Sequence, residues 1–230
     1  MKKHISELLK FCPNLLSATV LDVGAGRGKF IDSLLEVNFL GTIKGFEPAE
    51  CYVSELRAKF SSVPKVEIIR GVAESIPFEN NQFDFLNVSE VVEHVESPQK
   101  TLQEIYRVLK PGGCAYISVP SRFAIFDPHF HLWFVNWMPR TWSDFFIKIF
   151  GRHKDYNGAG GRHRLGEMHY FTYRKFIKLC LQQGFVVTDT RRAKIVAWPI
   201  PKRLVGIFLY SLVKNFYFQT FHFFLNKPSN

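Results

Sequence analysis

Asp22, Gly24, Gly26 and Gly28 alternate along "VLDVGAGRGKF" (residues 20–30), where an apolar run ending in an acid gives way to a polar stretch. Glycine is entropically costly to fix, so three at alternate positions suit a turn that needs φ > 0 or lets a ligand approach the backbone. Unpaired N–H groups at the start of a following helix would face that ligand. The spacing is GxGxG, not the GxGxxG of dinucleotide folds, and no GK[ST] follows, which counts against a phosphate loop as well. A second group lies in "SEVVEHV": Glu90, Glu93 and His94 stand at i, i+3 and i+4, which would gather them on one helical face. Carboxylates with one imidazole suit either proton transfer or a divalent ion such as Mg²⁺ or Mn²⁺. His129 and His131 in "DPHFHLW" read as structural histidines. "GAGGRHR" (158–164) could cradle a phosphate with Arg162 and Arg164, or be a solvated loop.

These groups need a scaffold, and its elements are legible. Residues 3–11 read as a short helix, 19–23 as a buried strand, and 28–37 as a helix with Phe30, Ile31, Leu34 and Leu35 at helical spacing. "TIKGFE" (42–47), "KVEIIRG" (65–71), "FDFLNVS" (83–89) and "CAYISVP" (114–120) follow as strands, with helices at 51–60 and 98–109 between them. This alternation predicts an α/β fold with a mostly parallel sheet covered by helices on both faces. Such sheets bind ligands at the carboxyl ends of their strands, and the glycines sit at the first of these.

From about 121 to 170 the pattern breaks into aromatics, prolines and glycines, an insertion or lid with aromatic and basic character. A helix resumes over 172–185 and stops at Gly184, and "VVTDTRR" and "KIVAW" read as strands. Over 202–226, Ser211, Lys214, Asn215, Gln219, His222 and Asn226 share one side of a projected helix. Leu204, Phe208, Leu212, Phe216, Phe221 and Phe223 cover much of the rest. Its apolar run of about ten residues is short of the roughly 20 that span a bilayer. An amphipathic helix at a membrane interface, or one docked on its own domain or a dimer partner, both fit. The expected division is thus 1–201 as the main domain and 202–230 as the C-terminal helix.

Composition narrows the class. With 230 residues, 47% hydrophobic and 22% charged, the chain can bury a full core and is neither disordered nor a polytopic membrane protein. The net charge of +10 is uneven: residues 121–230 carry 17 Lys+Arg against 5 Asp+Glu. That half suits an anionic partner: phosphate, nucleic acid or a lipid surface. Cys12, Cys51, Cys114 and Cys180 form no CxxC pair and read as reduced, mostly buried thiols. The first residues lack a signal-peptide pattern, so the expected location is the cytoplasm, with a peripheral membrane position open.

Over residues 19–120 the chain resembles the class I S-adenosylmethionine-dependent methyltransferases, among them the methyltransferase type 11-like, small-molecule and lipid O-methyltransferases. The D-x-G-x-G-x-G string Asp22–Gly28, "GVAESIPF" (71–78), "FDFLNVSEVVEHV", "RVLKPGG" and "YISVP" carry the resemblance. It implies a Rossmann-like seven-stranded sheet, S-adenosylmethionine as cofactor, and Asp22, Gly24, Ala25, Gly26 and Gly28 around its methionine part. Glu47, with Pro48 beside it, would take the ribose hydroxyls; Ala73, Glu74 and Ser89 would line the remainder. Val72 departs from the pattern, standing where relatives place an acid for the adenine amino group. His94 and His169 are implied as catalytic groups near the acceptor, and Tyr170 lies where relatives return the chain over the pocket. Some relatives use a similar E-x-x-E-H string as a metal site, which His169 could complete; the preferred reading gives His94 a base or pocket role without metal. The implied activity is methyl transfer to an oxygen, less readily a nitrogen, of a small acceptor, with lipid-linked, phosphorylated and quinone-like molecules all open. An RNA 2′-O-methyltransferase and a cofactor-binding partner protein without transferase activity are the alternatives.

Overall fold

A computed structural model of the protein describes residues 2–151 and 165–229. Helix α1 (Lys2–Leu9) leads into β1 (Thr19–Val23), α2 (Lys29–Leu35), β2 (Thr42–Glu47), α3 (Glu50–Phe60), β3 (Val66–Arg70), β4 (Phe83–Ser89), α4 (Pro98–Val108) and β5 (Leu109–Pro120). A two-stranded hairpin, β6 (Phe126–Asp127) and β7 (Leu132–Trp133), and helix α5 (Arg140–Phe150) follow. The chain then returns through α6 (Tyr173–Gln182), β8 (Val186–Asp189), α7 (Thr190–Val196), α8 (Lys202–Tyr217) and β9 (Thr220–Asn226). The main sheet has seven strands in the order β3-β2-β1-β4-β5-β9-β8. β3, β2, β1, β4 and β5 run parallel, while β9 pairs antiparallel with both β5 and β8.

Strand side chains alternate faces, so a sheet covered on both sides needs apolar residues at consecutive positions. Leu21, Leu86, Ala115 and Phe223 feed one core, with α4 and α6; their neighbours Val20, Phe85, Cys114 and Phe224 feed the other, with α1, α2 and α3. The order reverses at β1, flanked by β2 and β4, which places the crevice over the carboxyl ends of these strands.

Several expectations are corrected. The projected C-terminal helix ends at Tyr217, and Thr220–Asn226 is a strand in the middle of the sheet, with Phe221, Phe223, Phe224 and Leu225 buried. The "TRR" of "VVTDTRR" and most of "KIVAW" form helix α7, not strands. Asp189 stops β8 and caps that helix, its Oδ1 accepting from the Arg191 and Arg192 N–H groups at 2.9 and 3.1 Å. The thiol reading fails for two cysteines: Cys12 and Cys114 form a disulfide, while Cys180 is buried and Cys51 exposed.

Residues 121–151 and 165–170, following the end of β5, form a small unit of their own, with Phe130, Val135, Ile147, Leu165, Met168 and Tyr170 as its core. Among the described residues no helix is long and apolar enough to cross a membrane.

Candidate active site

The turn after β1 is built as its glycines require. Gly24, Gly26 and Gly28 have φ of +69°, +51° and +74°, a region that disfavours side chains. At Gly24 a Cβ would also lie 2.5 Å from Cγ2 of Val91, so the turn following β4 closes directly on the turn following β1. Phe46 anchors the loop, its carbonyl accepting from the N–H groups of Gly24 and Ala25 at 2.7 and 3.1 Å. Glu47, buried at the end of β2, accepts from the Gly26 N–H at 3.0 Å through Oε2 and from the Ala49 N–H at 3.1 Å through Oε1. A carboxylate has about four lone-pair sites, so it retains capacity for two further donors such as vicinal hydroxyls.

Behind the loop runs a polar chain across the ends of β4 and β1. Ser89 Oγ donates to Asn87 Oδ1 at 2.8 Å, and Asn87 Nδ2 donates to Asp22 Oδ1 at 2.7 Å. Burial pushes the Asp22 carboxyl up to about 7, opposed by the Asn87 hydrogen bond and assisted by Glu47. Its Oδ2 is buried with no hydrogen-bond partner among the described residues. An orphaned acceptor beside a turn of backbone in left-handed conformation suits a cationic or N–H-bearing ligand, and these residues fit the methionine part of S-adenosylmethionine.

In the loop after β3, Ala73 is buried and Val72 is 51% exposed. Glu74 Oε1 is engaged by the N–H groups of Glu96 and Ser97 at 2.7 and 3.3 Å, tying its loop to the entry of α4. Pro48 meets the same edge, its carbonyl accepting from Arg70 Nε at 3.2 Å.

Beyond Val91 lies a second polar pole, and its membership differs from the sequence reading. Residues 90–95 form turns, so Glu90, Glu93 and His94 do not share a helical face. Glu90 is exposed with φ of +57°, its N–H bonded to Ser118 Oγ at 3.1 Å. Glu93 points inward and is 0% exposed; burial, with Glu90 adding to it, pushes its carboxyl up to about 8. It gathers with His94 and with His129 from the lid, their ligand-type atoms all lying within 4.8 Å of one another. His94 and His129 meet edge to face at 5.9 Å between ring centroids. His169 is tied to this pole by its backbone N–H, which donates to the Glu93 carbonyl at 2.9 Å, while its half-buried ring packs toward Phe171.

His129, read from sequence as a structural histidine, is buried in the structure and lies beside Glu93 and His94, a neighbourhood that reading did not foresee. It is held by Asp127, buried in the hairpin. Asp127 Oδ1 accepts from the N–H groups of His129 and Phe130, both at 2.9 Å; Oδ2 accepts from Tyr170 OH at 2.7 Å and Asn136 Nδ2 at 3.1 Å. Tyr170 OH also meets His129 Nδ1 at 3.0 Å. The signal was Asp127 two residues before His129 in an otherwise aromatic stretch: an Asx turn, in which the carboxylate takes the backbone N–H two residues on. His131, by contrast, is exposed and stacks edge-on to Phe126 at 6.1 Å. Arg162, His163 and Arg164 lie outside the described residues.

Residues 21–117 match the family described as methyltransferase domain. Demethylmenaquinone methyltransferases are similar in sequence. The one from Staphylococcus saprophyticus is 32% identical over 59% of this chain and 57% of its own length; that from Chlorobaculum tepidum is 30% identical over 53% and 49%. The chain thus spans about half the length of the curated relatives it matches. In structure, an S-adenosylmethionine-dependent methyltransferase from Mesorhizobium loti superposes with a TM-score of 0.63 at 14% identity, covering 98% of both chains. Another from Methanosarcina mazei gives 0.60 at 18% identity, covering 96% of this chain and 98% of its own. Glycine turn, buried acid at the end of β2, strand order and these likenesses converge: residues 21–117 match a methyltransferase domain, set in the fold of S-adenosylmethionine-dependent methyltransferases.

Proposed function

We propose that the protein methylates an oxygen of a small amphiphilic acceptor, lipid-linked and anionic, bound between the glycine turn and the lid. The observation that carries this reading is the adjacency of two unlike poles. Val91 touches the cofactor turn at Gly24, and two residues further on Glu93 enters the buried polar cluster with His94 and His129.

When bound, S-adenosylmethionine supplies a methyl group already activated on a sulfonium, so the protein must mainly align the acceptor and take its proton. An acceptor oxygen uses a lone pair to form the new C–O bond while the S–C pair stays on sulfur; the hydroxyl proton passes to an imidazole. His94 and His169 are the imidazoles the sequence assigns to that task, and the backbone bond between His169 and Glu93 keeps them at one pole. Glu47 and the glycine turn hold the donor; Asp22, Asn87 and Ser89 stiffen the strand ends beneath it.

Two features support an anionic, lipid-linked acceptor. Arg140 sits over the Tyr170 ring at 5.5 Å with its Nη1 buried and unbonded among the described residues, and burial with the neighbouring charge of Arg122 disfavours its protonated form. An anion would relieve both. On the outside, Thr141, Trp142, Phe145 and Phe146 line a groove of about 320 Å³, suited to an apolar chain. The relatives named for demethylmenaquinone make a quinone-type lipid a member of this class.

The test is incubation of the protein with methyl-labelled cofactor and separated lipid, small-molecule and RNA fractions. Label in the lipid fraction, reduced at least tenfold by His94→Ala, is the expected result. Label confined to RNA, or cofactor binding with no transfer to any fraction, would overturn the reading.

A further inference from the structure

We propose that Glu93, His94 and His129 form a binding site for one divalent transition-metal cation of the Zn²⁺, Mn²⁺ or Fe²⁺ class, on the acceptor side of the cofactor turn. Its role in holding the acceptor oxygen rests on the function proposed above; the binding itself does not.

Glu93 is 0% exposed, and neither of its carboxylate oxygens receives a hydrogen bond from another described residue. A buried carboxylate left so is costly unless a proton or a cation compensates it. His129 Nε2 lies 3.8 Å from its Oε1. That is too long for a hydrogen bond, which would close to roughly 2.7–3.2 Å. It is the separation of two ligands on a common ion: atoms each about 2.0–2.2 Å from a metal lie roughly 3–4.4 Å apart. The full set, with all ligand atoms within 4.8 Å, reaches this range with small side-chain movements.

The hydrogen bonds behind His129 settle which nitrogen it presents. Tyr170 has a single hydroxyl proton, donated to Asp127 Oδ2 at 2.7 Å, so toward His129 its oxygen accepts from Nδ1–H at 3.0 Å. In that tautomer Nε2 carries the lone pair, and it is this nitrogen that faces Glu93. Asp127, with its other oxygen filled by two backbone N–H groups, and Tyr170 act as positioning residues, the arrangement by which ligating imidazoles are commonly oriented. Two imidazoles and one carboxylate favour a transition-metal ion over Mg²⁺ or Ca²⁺, which prefer all-oxygen sets. The site differs from the E-x-x-E-H expectation: Glu90 faces solvent, and His129 from the lid takes the remaining place. A cation here would leave coordination positions for an acceptor oxygen, and leave His169 to take the proton.

The experiment is titration of chelator-treated full-length protein with Co²⁺, read by its visible d–d absorption, and with Zn²⁺ by calorimetry. One equivalent of each is expected. Glu93→Gln and His129→Asn should each weaken binding at least tenfold, and Tyr170→Phe about ten- to a hundredfold, as for orienting partners elsewhere. S-adenosylmethionine affinity is measured on the same samples, so that retained cofactor binding certifies the fold of each variant; if Glu93→Gln does not fold, His129→Asn carries the comparison. No Co²⁺ spectrum, or affinity unchanged in the variants, overturns the site. Methyl transfer by a chelated protein that shows no metal binding would overturn this inference while leaving the proposed function standing.

Discussion

At the residue scale, Glu47 shows how one side chain can serve loop and ligand together. Its two oxygens already take the N–H groups of Gly26 and Ala49, so the glycine turn and the start of α3 are registered on the carboxylate that the family resemblance assigns to the ribose. Glu47→Gln keeps an amide oxygen for one of these N–H groups and loses acceptor capacity for the vicinal hydroxyls. Calorimetry should show at least tenfold weaker S-adenosylmethionine binding, with a small change in melting temperature. Glu47→Ala should add a stability loss of about 1–3 kcal/mol, since it strands two inward-facing donors. Unchanged affinity in the glutamine variant would refute the ribose assignment. Gly24→Ala makes a complementary probe. The methyl group must displace Val91 and occupy φ of +69°, so its effect should fall on the turn that carries both poles, seen as a tenfold or larger drop in affinity for the cofactor.

At the element scale, the strands β1 to β5 were legible because burial on both faces leaves continuous apolar runs punctuated by glycine and proline, and little else in a sequence looks like that. The glycine turn after β1 and the acid that ends β2 were legible for the same reason, since they stand at fixed offsets from strand ends. β9 was not: "TFHFFLN" is apolar at positions that fit a helical face as well as an inner strand, and only pairing with β5 and β8, residues far away in sequence, decides it. His129 escaped for a similar cause, because Glu93 and Tyr170, which define its role, are distant in the chain. Placement of β9 has a measurable consequence. His222 on β9 sits beside Tyr116 on β5, with Tyr116 OH and His222 Nδ1 2.8 Å apart. Burial, reinforced by the Arg191 charge, pushes this histidine down to about 4 from 6.5. Between those values the unfolded chain takes up a proton that the folded chain refuses, so stability is lost as pH falls from about 6.5 to 4 and is whole above. At about 1.4 kcal/mol per pK unit the loss approaches about 3 kcal/mol. Denaturant titrations from pH 7 to 4 should show His222→Gln losing less stability than the wild type over that interval. Parallel curves would mean that the histidine is not buried in the sheet.

At the scale of the whole molecule, charge and apolar exposure lie together on the half of the chain that follows β5. On α5, Trp142, Phe145, Ile149 and Phe150 are exposed along one helical face. On α8, Leu204, Val205, Phe208, Leu209, Leu212 and Phe216 make a second such stripe. Phe216 of α8 also packs on Trp137 and Phe123, ahead of α5 in the chain, at 5.8 and 6.3 Å between ring centroids. Water tolerates scattered apolar residues, but stripes of this extent are what interaction faces present. The excess of 17 Lys+Arg over 5 Asp+Glu in residues 121–230 selects an anionic one. A lipid surface supplies both requirements: rings enter the headgroup boundary, while each basic side chain near an anionic leaflet adds about 1 kcal/mol. On the lipid-linked acceptor proposed above, the lid would lie on the membrane surface and the acceptor would pass into it sideways. Co-sedimentation with vesicles containing anionic lipid should be strong at low salt and fall as salt rises. Replacing Trp142 and Phe145 together by glutamate should lower the bound fraction at least tenfold while leaving S-adenosylmethionine affinity alone, because neither side chain touches the glycine turn. Equal binding of this variant and the wild type would remove the membrane from the account and return α5 and α8 to an interface between protein surfaces.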